Sequence, residues 1–218
     1  MPVTMKRTSA LLPLILPFCP ECPDFLAEQQ ARFAAVKFCE RSRAWRHLTT
    51  VTIPEGSNGV GVMVAPDTAA IHEIEFAEMN GRKLTPVQFS SIDGTSEGHA
   101  DYITQTAPGE VRVVPFEPGT LRISVFLKPL TGSEYSTDAA RPLFDRFNVV
   151  PDFIVDLHGH TIAAGALAAL LSIPDEPWTD KSEALKYEAR FREALDSAFR
   201  WNMRGQQRAP QRTSARWF

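Results

Sequence analysis

The chain contains little cysteine and carries little net charge. Three cysteines among 218 residues cannot close a framework of paired disulfides, so nothing in the composition requires an oxidising compartment. The 23 basic and 26 acidic side chains give a net charge of −3 at pH 7. That balance excludes a protein whose whole surface binds nucleic acid. We therefore expect a globular protein made in a reducing cytosol.

The sequence also lacks the usual signatures of catalysis. It has no phosphate-binding glycine loop, no nucleophile elbow and no zinc-protease helix motif. Cys19 and Cys22 have the spacing of a zinc half-site, but no second spaced pair accompanies them. Asp152, Asp156 and His160 would share one helical face, and the solvated edge of an apolar helix gives the same pattern. The sequence therefore predicts no catalytic residue, no cofactor and no metal site, and a hydrolase using His160 is a distant alternative.

Long apolar runs are missing as well. The segment 153–173 is long enough to cross a bilayer, but it contains Asp156, His158 and His160. We therefore predict no membrane partner.

The first residues allow two interpretations. Lys6 and Arg7 precede an apolar run, as in a secretory signal, and this favours a secreted or periplasmic β-rich binding protein. Pro13 and Pro17 interrupt the run, and no small residues suited to cleavage follow it. The interpretation we prefer is an extended apolar arm over residues 1–23.

A helix is predicted from Asp24 to Leu48, where neither Gly nor Pro occurs. Its apolar residues form two arcs on a helical wheel. One arc contains Phe25, Leu26, Phe33, Val36 and Ala44, and the other contains Ala27, Ala34, Phe38 and Trp45. A helix with two apolar faces can bury one in its own fold and offer the other elsewhere, or it can bury both in one bundle. Under the first alternative, Phe38 and Trp45 are predicted to lie in a subunit interface.

Alternating apolar and polar residues follow, between residues 49 and 130. The pattern predicts seven short strands, over 49–53, 60–65, 71–79, 82–89, 102–107, 110–115 and 120–128. Turn residues separate them, and Asn80-Gly81 is the strongest hairpin signal. Two more helices are predicted over 153–172 and from Asp180 to Arg204, the second opened by a capping pattern of Asp180 and Glu183.

These elements predict an α+β fold, in which a bundle of three long helices carries an inserted antiparallel β-module and extended N- and C-terminal arms. The predicted parts are an N-terminal arm (1–23), a helical domain (24–48 and 151–204), the β-module (49–130), a connecting loop (131–150) and a basic C-terminal arm (205–218).

The small net charge hides an uneven distribution. The first 199 residues contain 18 basic and 26 acidic groups, a sum of −8, whereas the remaining 19 residues contain five arginines and no acid. These arginines recur at every fourth position, and aromatic residues accompany them. The set is Arg200, Arg204, Arg208, Arg212 and Arg216 with Trp201, Trp217 and Phe218.

Arginine beside aromatic residues is typical of protein interfaces and also suits phosphates. A disordered, solubilising tail is the alternative. The aromatic pair Trp217-Phe218 argues against it, because a free tail would expose that apolar surface for no gain. We therefore predict that these eight residues attach the chain to an acidic protein surface or to phosphates.

Several segments together resemble the head-to-tail adaptor (connector, or head-completion) proteins of tailed bacteriophages. They are the proline-punctuated start 11–23, Phe38 to Arg46 in the first helix, Leu127-Lys128-Pro129, Pro151-Asp152 with Ala163 to Ala166, Pro177-Trp178, and the arginine-rich end closing with Arg216-Trp217-Phe218. The pattern spans nearly the whole chain, although no single motif is diagnostic. His158-Gly159-His160 departs from it, where a bulkier amphipathic turn would be expected.

The resemblance implies a structural virion protein without enzymatic activity. Such a protein forms a homo-oligomeric ring, expected to be a dodecamer, that binds the portal protein, extends the DNA channel and docks a tail or nozzle protein. The resemblance also implies that the eight tail residues between Arg200 and Phe218 contact the portal protein or a neighbouring subunit. It would be found in the head-tail neck of the virion, and in the host cytoplasm during assembly. DNA would pass through the lumen without specific binding, for which an acidic body is suited because it repels phosphates.

Overall fold

The computed structural model describes residues 3–57, 60–91, 96–130 and 148–203. The described part contains four α-helices, which are α1 (Leu12–Ile15), α2 (Asp24–Ser42), α3 (Asp152–Leu170) and α4 (Lys181–Met203). It also contains ten strands, which are β1 (Met5–Arg7), β2 (Arg46–Ile53), β3 (Val62–Met63), β4 (Ala69–Met79), β5 (Arg82–Lys83), β6 (Thr85–Pro86), β7 (Tyr102–Ala107), β8 (Glu110–Val114), β9 (Gly119–Pro129) and β10 (Val149–Pro151).

The predicted bundle of three long helices with an inserted β-module is wrong. The described residues form four helices and three multi-stranded sheets, with 42% of the structure helical and 31% in strands. Strands on both sides of the predicted module, β1 and β10, form a sheet of their own. The β-structure is therefore too extensive, and too dispersed along the chain, to be an insert in a bundle.

Contacts between Cα atoms divide the chain into two compact units. Unit 1 contains Met1–Thr8 and Trp45–Asp152, and its described part holds all ten strands. Unit 2 contains Ser9–Ala44 and Phe153–Phe218, and its described part holds α1, α2, α4 and nearly all of α3. The helical unit thus begins at Ser9 rather than at Asp24.

The predicted N-terminal arm is not extended. β1 pairs antiparallel with β10, and Thr8 to Phe18 then form consecutive 3-10 and α-helical turns in which Leu11 and Ile15 are fully buried. Pro13 and Pro17 each stand in the first turn of a short helix. Proline is tolerated there because its missing N–H has no intrahelical partner to lose. The two prolines therefore start helical turns instead of straightening the chain.

Two four-stranded sheets make up most of unit 1, with the strand orders β2-β9-β4-β5 and β3-β8-β7-β6. The central strand β9 buries Leu121, Ile123, Val125 and Leu127 completely. The predicted Asn80-Gly81 hairpin is confirmed: both residues have positive φ, and they join Met79 to its partner Arg82. β6 pairs in parallel with β7, which departs from the predicted antiparallel arrangement.

The side chain of Asn80 fixes the corner where β9 begins. Its Oδ1 accepts a hydrogen bond from Thr120 N at 2.9 Å, and its Nδ2 donates to Glu117 at 2.8 Å. Gly119 has a φ of +135°, and a Cβ there would lie 2.2 Å from Asn80 Oδ1. Only glycine fits this position, because both the backbone conformation and the space exclude a side chain.

The first long helix ends six residues before its predicted end. Arg43 adopts a left-handed conformation, and its N–H closes the helix on Cys39 O at 3.0 Å. Residues from Arg46 onwards join β2, which pairs with β9 over its full length. Helix propensity predicts the longer helix, and the sheet pairing overrides it.

The other two long helices begin within a residue of their predicted starts. Asp180 Oδ1 accepts hydrogen bonds from the N–H groups of Ser182 and Glu183, both at 3.0 Å, and so caps α4. α3 buries Ile154, Ile162, Leu167 and other small and apolar residues. By length and composition, α3 is the one described helix that could cross a membrane, a property it shares with core helices of folded domains.

Candidate functional site

The helices of unit 2 have a defined direction relative to one another. Lys37 lies over the ring of Phe191, Arg43 lies over the ring of Phe199, and Asn202 Nδ2 donates to Ser42 O at 2.7 Å. Residues nearer the C-terminus of α2 contact residues nearer the C-terminus of α4, so the two helices run parallel. Both N-termini lie at one end of unit 2 and both C-termini at the other.

Acidic side chains are concentrated at one end of these helices. The end with the two N-termini carries acidic side chains of the two helices and of the loops before them: Glu21, Asp24, Asp175, Glu176, Asp180 and Glu183. The opposite end carries Arg41, Arg43 and Arg200, but Glu40, Asp156 and Asp196 lie among them. The acidic end complements the dipoles of α2 and α4, whose positive ends lie there. Unit 2 therefore has one acidic end, and the sequence continues beyond α4, after Met203, with four arginines and no acid.

α2 buries one apolar face in the core and leaves the other partly covered, with Leu26 and Val36 half-buried. Ala27, Ala31, Ala34, Ala35 and Phe38 are buried. On the other arc, 73% of the Phe25 surface and 44% of the Phe33 surface are exposed. Large aromatic groups exposed along one helix face are typical of a surface that a partner covers.

Phe38 and Trp45, the predicted subunit-interface residues, are both buried inside this chain. The ring of Phe38 lies 4.6 Å, centroid to centroid, from that of His158 within unit 2, and Trp45 belongs to unit 1. A residue without exposed surface has none to bury against a second subunit. The assignment of these two residues to an interface therefore disagrees with the structure, and the exposed pair Phe25 and Phe33 fits that role better.

Of the predicted tail residues, Arg200 and Trp201 lie within the described part. Both are in the last turn of α4 and exposed, and half of the Trp201 surface is accessible. Together with Phe153, Leu157 and His158 they line a groove of about 770 Å³ in unit 2. Arg204, Arg208, Arg212, Arg216, Trp217 and Phe218 lie outside the described residues.

A second pocket, of about 440 Å³, lies at the acidic end of unit 2. Phe18, Trp178 and Tyr187 supply aromatic walls, and Asp180 and Glu183 supply carboxylates. The Phe18 and Tyr187 rings meet edge to face, with centroids 6.3 Å apart, and 60% of the Phe18 surface is exposed. This site was missed from the sequence, because its residues come from three separate segments of the chain.

The cysteines are buried and poorly suited to chemistry. Burial, together with the neighbouring Cys22, raises the pKa of Cys19 to about 12. Burial also raises the pKa values of Cys22 and Cys39. Because the thiolate is the nucleophile and the metal ligand, these thiols are unreactive at neutral pH.

The histidines of α3 do not join the acidic residues in a cluster. Burial lowers the pKa of His158, which packs on Phe38, whereas His160 and Asp156 are exposed. Within residues 3–57, 60–91, 96–130 and 148–203, no group of three or more His, Cys, Asp or Glu side chains could hold a metal ion.

Neither a family model nor a curated protein matches this chain.

Proposed function

We propose that the protein is a structural subunit of a homo-oligomeric ring, and that the ring is a head-to-tail adaptor of a tailed bacteriophage. In this proposal the ring binds the portal protein, extends the DNA channel and docks a tail protein. The segment from Arg200 to Phe218 makes the portal contact. The exposed face of α2 carries the proposal, because Phe25 and Phe33 remain accessible while the opposite face of the same helix is packed.

The acidic end of unit 2 supports self-assembly. It is complementary to the arginine-rich sequence after Met203 of another copy, and head-to-tail contacts between the two generate a ring when the rotation closes. An antiparallel pair of subunits would satisfy the same charges, so the charges support the contact and the resemblance to adaptor proteins supports the ring.

The competing proposal, a secreted binding protein with a cleaved signal, is less compatible with the N-terminal residues. Removing residues 1–22 would take β1 from β10 and would empty the sites filled by Leu11 and Ile15. Mass spectrometry of the intact protein distinguishes the two proposals, since the adaptor retains these residues.

The portal contact is tested by deleting every residue after Gly205. We expect a folded protein with an unchanged melting temperature that fails to join portal-containing heads, as measured by quantitative mass spectrometry of purified particles. Normal incorporation of the truncated chain would overturn the portal assignment.

The ring itself is tested by the double variant Phe25→Glu and Phe33→Glu. Because both side chains are exposed, we expect an unchanged melting temperature and loss of the ring in native mass spectrometry. Val60→Glu, at an exposed apolar position of unit 1, is the matched control and should leave the ring intact. A ring that survives in the double variant would remove α2 from the interface.

A further inference from the structure

We propose that the aromatic pocket at the acidic end of unit 2 receives Arg204 and Arg208 of a second copy of this chain. The inference rests on the self-assembly part of the proposed function, and it names the contact that would link neighbouring subunits. It narrows the portal contact of the proposed function, from the whole segment after Arg200 to the distal residues Arg212 to Phe218.

The pocket has the chemistry of an arginine site. A guanidinium group stacks on aromatic faces and pairs with carboxylates, and the pocket offers Phe18, Trp178 and Tyr187 beside Asp180 and Glu183. The Tyr187 ring already has the guanidinium of Arg190 of its own chain 5.6 Å from its centroid. Stacking of arginine on this aromatic group is thus a contact that the pocket supports.

The charge of this end suits a cation. The pocket and its adjoining loops carry Glu21, Asp24, Asp175, Glu176, Asp180 and Glu183. Lys181, Lys186 and Arg190 oppose these six acids, and Lys186 pairs with Glu183. The excess is therefore negative, and it is complementary to the segment after Met203, which contains four arginines and no acid.

The occupant must come from another copy. α4 runs from the pocket to the far end of unit 2, so Glu183 and Met203 are about 30 Å apart at a helical rise of 1.5 Å per residue. Arg208 is five residues beyond Met203, a reach of about 17 Å for extended chain, and Arg204 reaches less. Neither arginine spans the return distance within its own chain, so the proposal assigns both to the pocket of a second copy.

The proposal is tested by photo-crosslinking the full chain with Phe18→p-benzoylphenylalanine, which keeps an aromatic group at the pocket. Labelled (15N) and unlabelled protein are mixed before irradiation, and crosslinked peptides are identified by mass spectrometry. We expect position 18 to be joined to residues 204–211. The fraction of crosslinked products that contain both isotopes should equal the fraction expected from random pairing of labelled and unlabelled chains. The same photoreactive group at Leu185, which is exposed and outside the pocket, is the control and should not capture that segment.

Products of a single isotope would mean that the tail folds back within one chain, and would overturn the proposal. Capture of a different segment, or no capture of residues 204–211, would overturn it as well.

A second measurement uses charge reversal. Arg204→Glu with Arg208→Glu should weaken self-association by about tenfold or more, as judged by sedimentation, whereas Arg212→Glu with Arg216→Glu should not. Equal effects of the two pairs would contradict the assignment of Arg204 and Arg208.

The adaptor function and the pocket contact can be refuted independently of each other. A chain that crosslinks between copies but never joins heads would remove the adaptor function and leave the pocket contact. A chain that joins heads without this crosslink would remove only the pocket contact.

Discussion

Phe191 of α4 packs directly on Gly165 of α3, so closely that a Cβ at position 165 would lie 2.9 Å from Cζ of the ring. Both residues belong to unit 2, and Phe191 is buried. The glycine therefore sets how closely these two helices approach.

Gly165→Ala is expected to destabilise the protein by about 1–3 kcal/mol, because the buried ring must move to admit the methyl group. Chemical denaturation measures the change. Gly159→Ala on the same helix is the control: its nearest neighbour is the terminal Cδ1 of Leu14 at 3.3 Å, and alanine gains about 1 kcal/mol of helix propensity there. Combining Gly165→Ala with Phe191→Leu should recover part of the loss, and strict additivity of the two changes would contradict the contact.

Glu117 is expected to contribute to stability at neutral pH and to lose that contribution in acid. Burial by itself would raise the pKa of this carboxyl group, but hydrogen bonds from Ala100 N, Asn80 and Arg82, with the charge of Arg82, outweigh burial and lower it. A folded-state pKa below the ordinary value of 4.5 means that the stabilisation is present above 4.5 and is lost as the pH falls through the folded pKa.

The corresponding variant is Glu117→Gln. It should lower the free energy of unfolding by about 1–3 kcal/mol at pH 7, and its stability should fall less steeply than that of the wild type below pH 4.5. Urea unfolding at several pH values measures both effects. Glu55→Gln, at an exposed position, serves as the control, and parallel pH profiles for wild type and Glu117→Gln would refute the prediction.

Leu11 tests whether the N-terminal turns belong to the fold. Its side chain is fully buried, so Leu11→Ala should destabilise the protein by about 2–5 kcal/mol. Leu185→Ala removes the same atoms from an exposed site and should be nearly neutral. If both variants unfold at the wild-type denaturant concentration, residues near position 11 do not pack as described.

The three cysteines should resist alkylation in the folded protein. Cys19, Cys22 and Cys39 are buried, and burial raises the pKa of each thiol, to about 12 for Cys19. Iodoacetamide at pH 8 should therefore label less than one thiol per chain, and all three should react after denaturation. Rapid labelling of the native protein at any one of them would show an accessible thiolate.

Local patterns predicted much of the secondary structure. The helix starting at Asp24, the helix capped by Asp180 and the hairpin at Asn80-Gly81 all occur at their predicted positions. Asp180 caps its helix through its side chain, whereas the first helix begins after Pro23 without a side-chain cap. These signals act over a few residues, so no knowledge of the rest of the fold is needed to interpret them.

Pairing across long separations could not be predicted in the same way. Met5 of β1 pairs with Pro151 of β10, and no local pattern marks either three-residue strand. The end of α2 at Ser42 has the same origin, because β2 pairs with β9 from Arg46 onwards. In both places a tertiary contact outweighs local preference.

The exposed face of α2 and the aromatic pocket likewise combine features that the sequence predicts with features that depend on tertiary packing. The sequence by itself determined the two apolar arcs of α2, the charge difference between the body and the last 19 residues, and the positions of the caps, because these depend on spacing and composition alone. Only the tertiary structure decided that Phe38 is buried while Phe25 and Phe33 are exposed, and that Phe18, Trp178 and Tyr187 share one pocket. Burial and proximity depend on which elements pack together, and the parallel packing of α2 and α4 brought the acidic residues near their two N-termini to one end of unit 2.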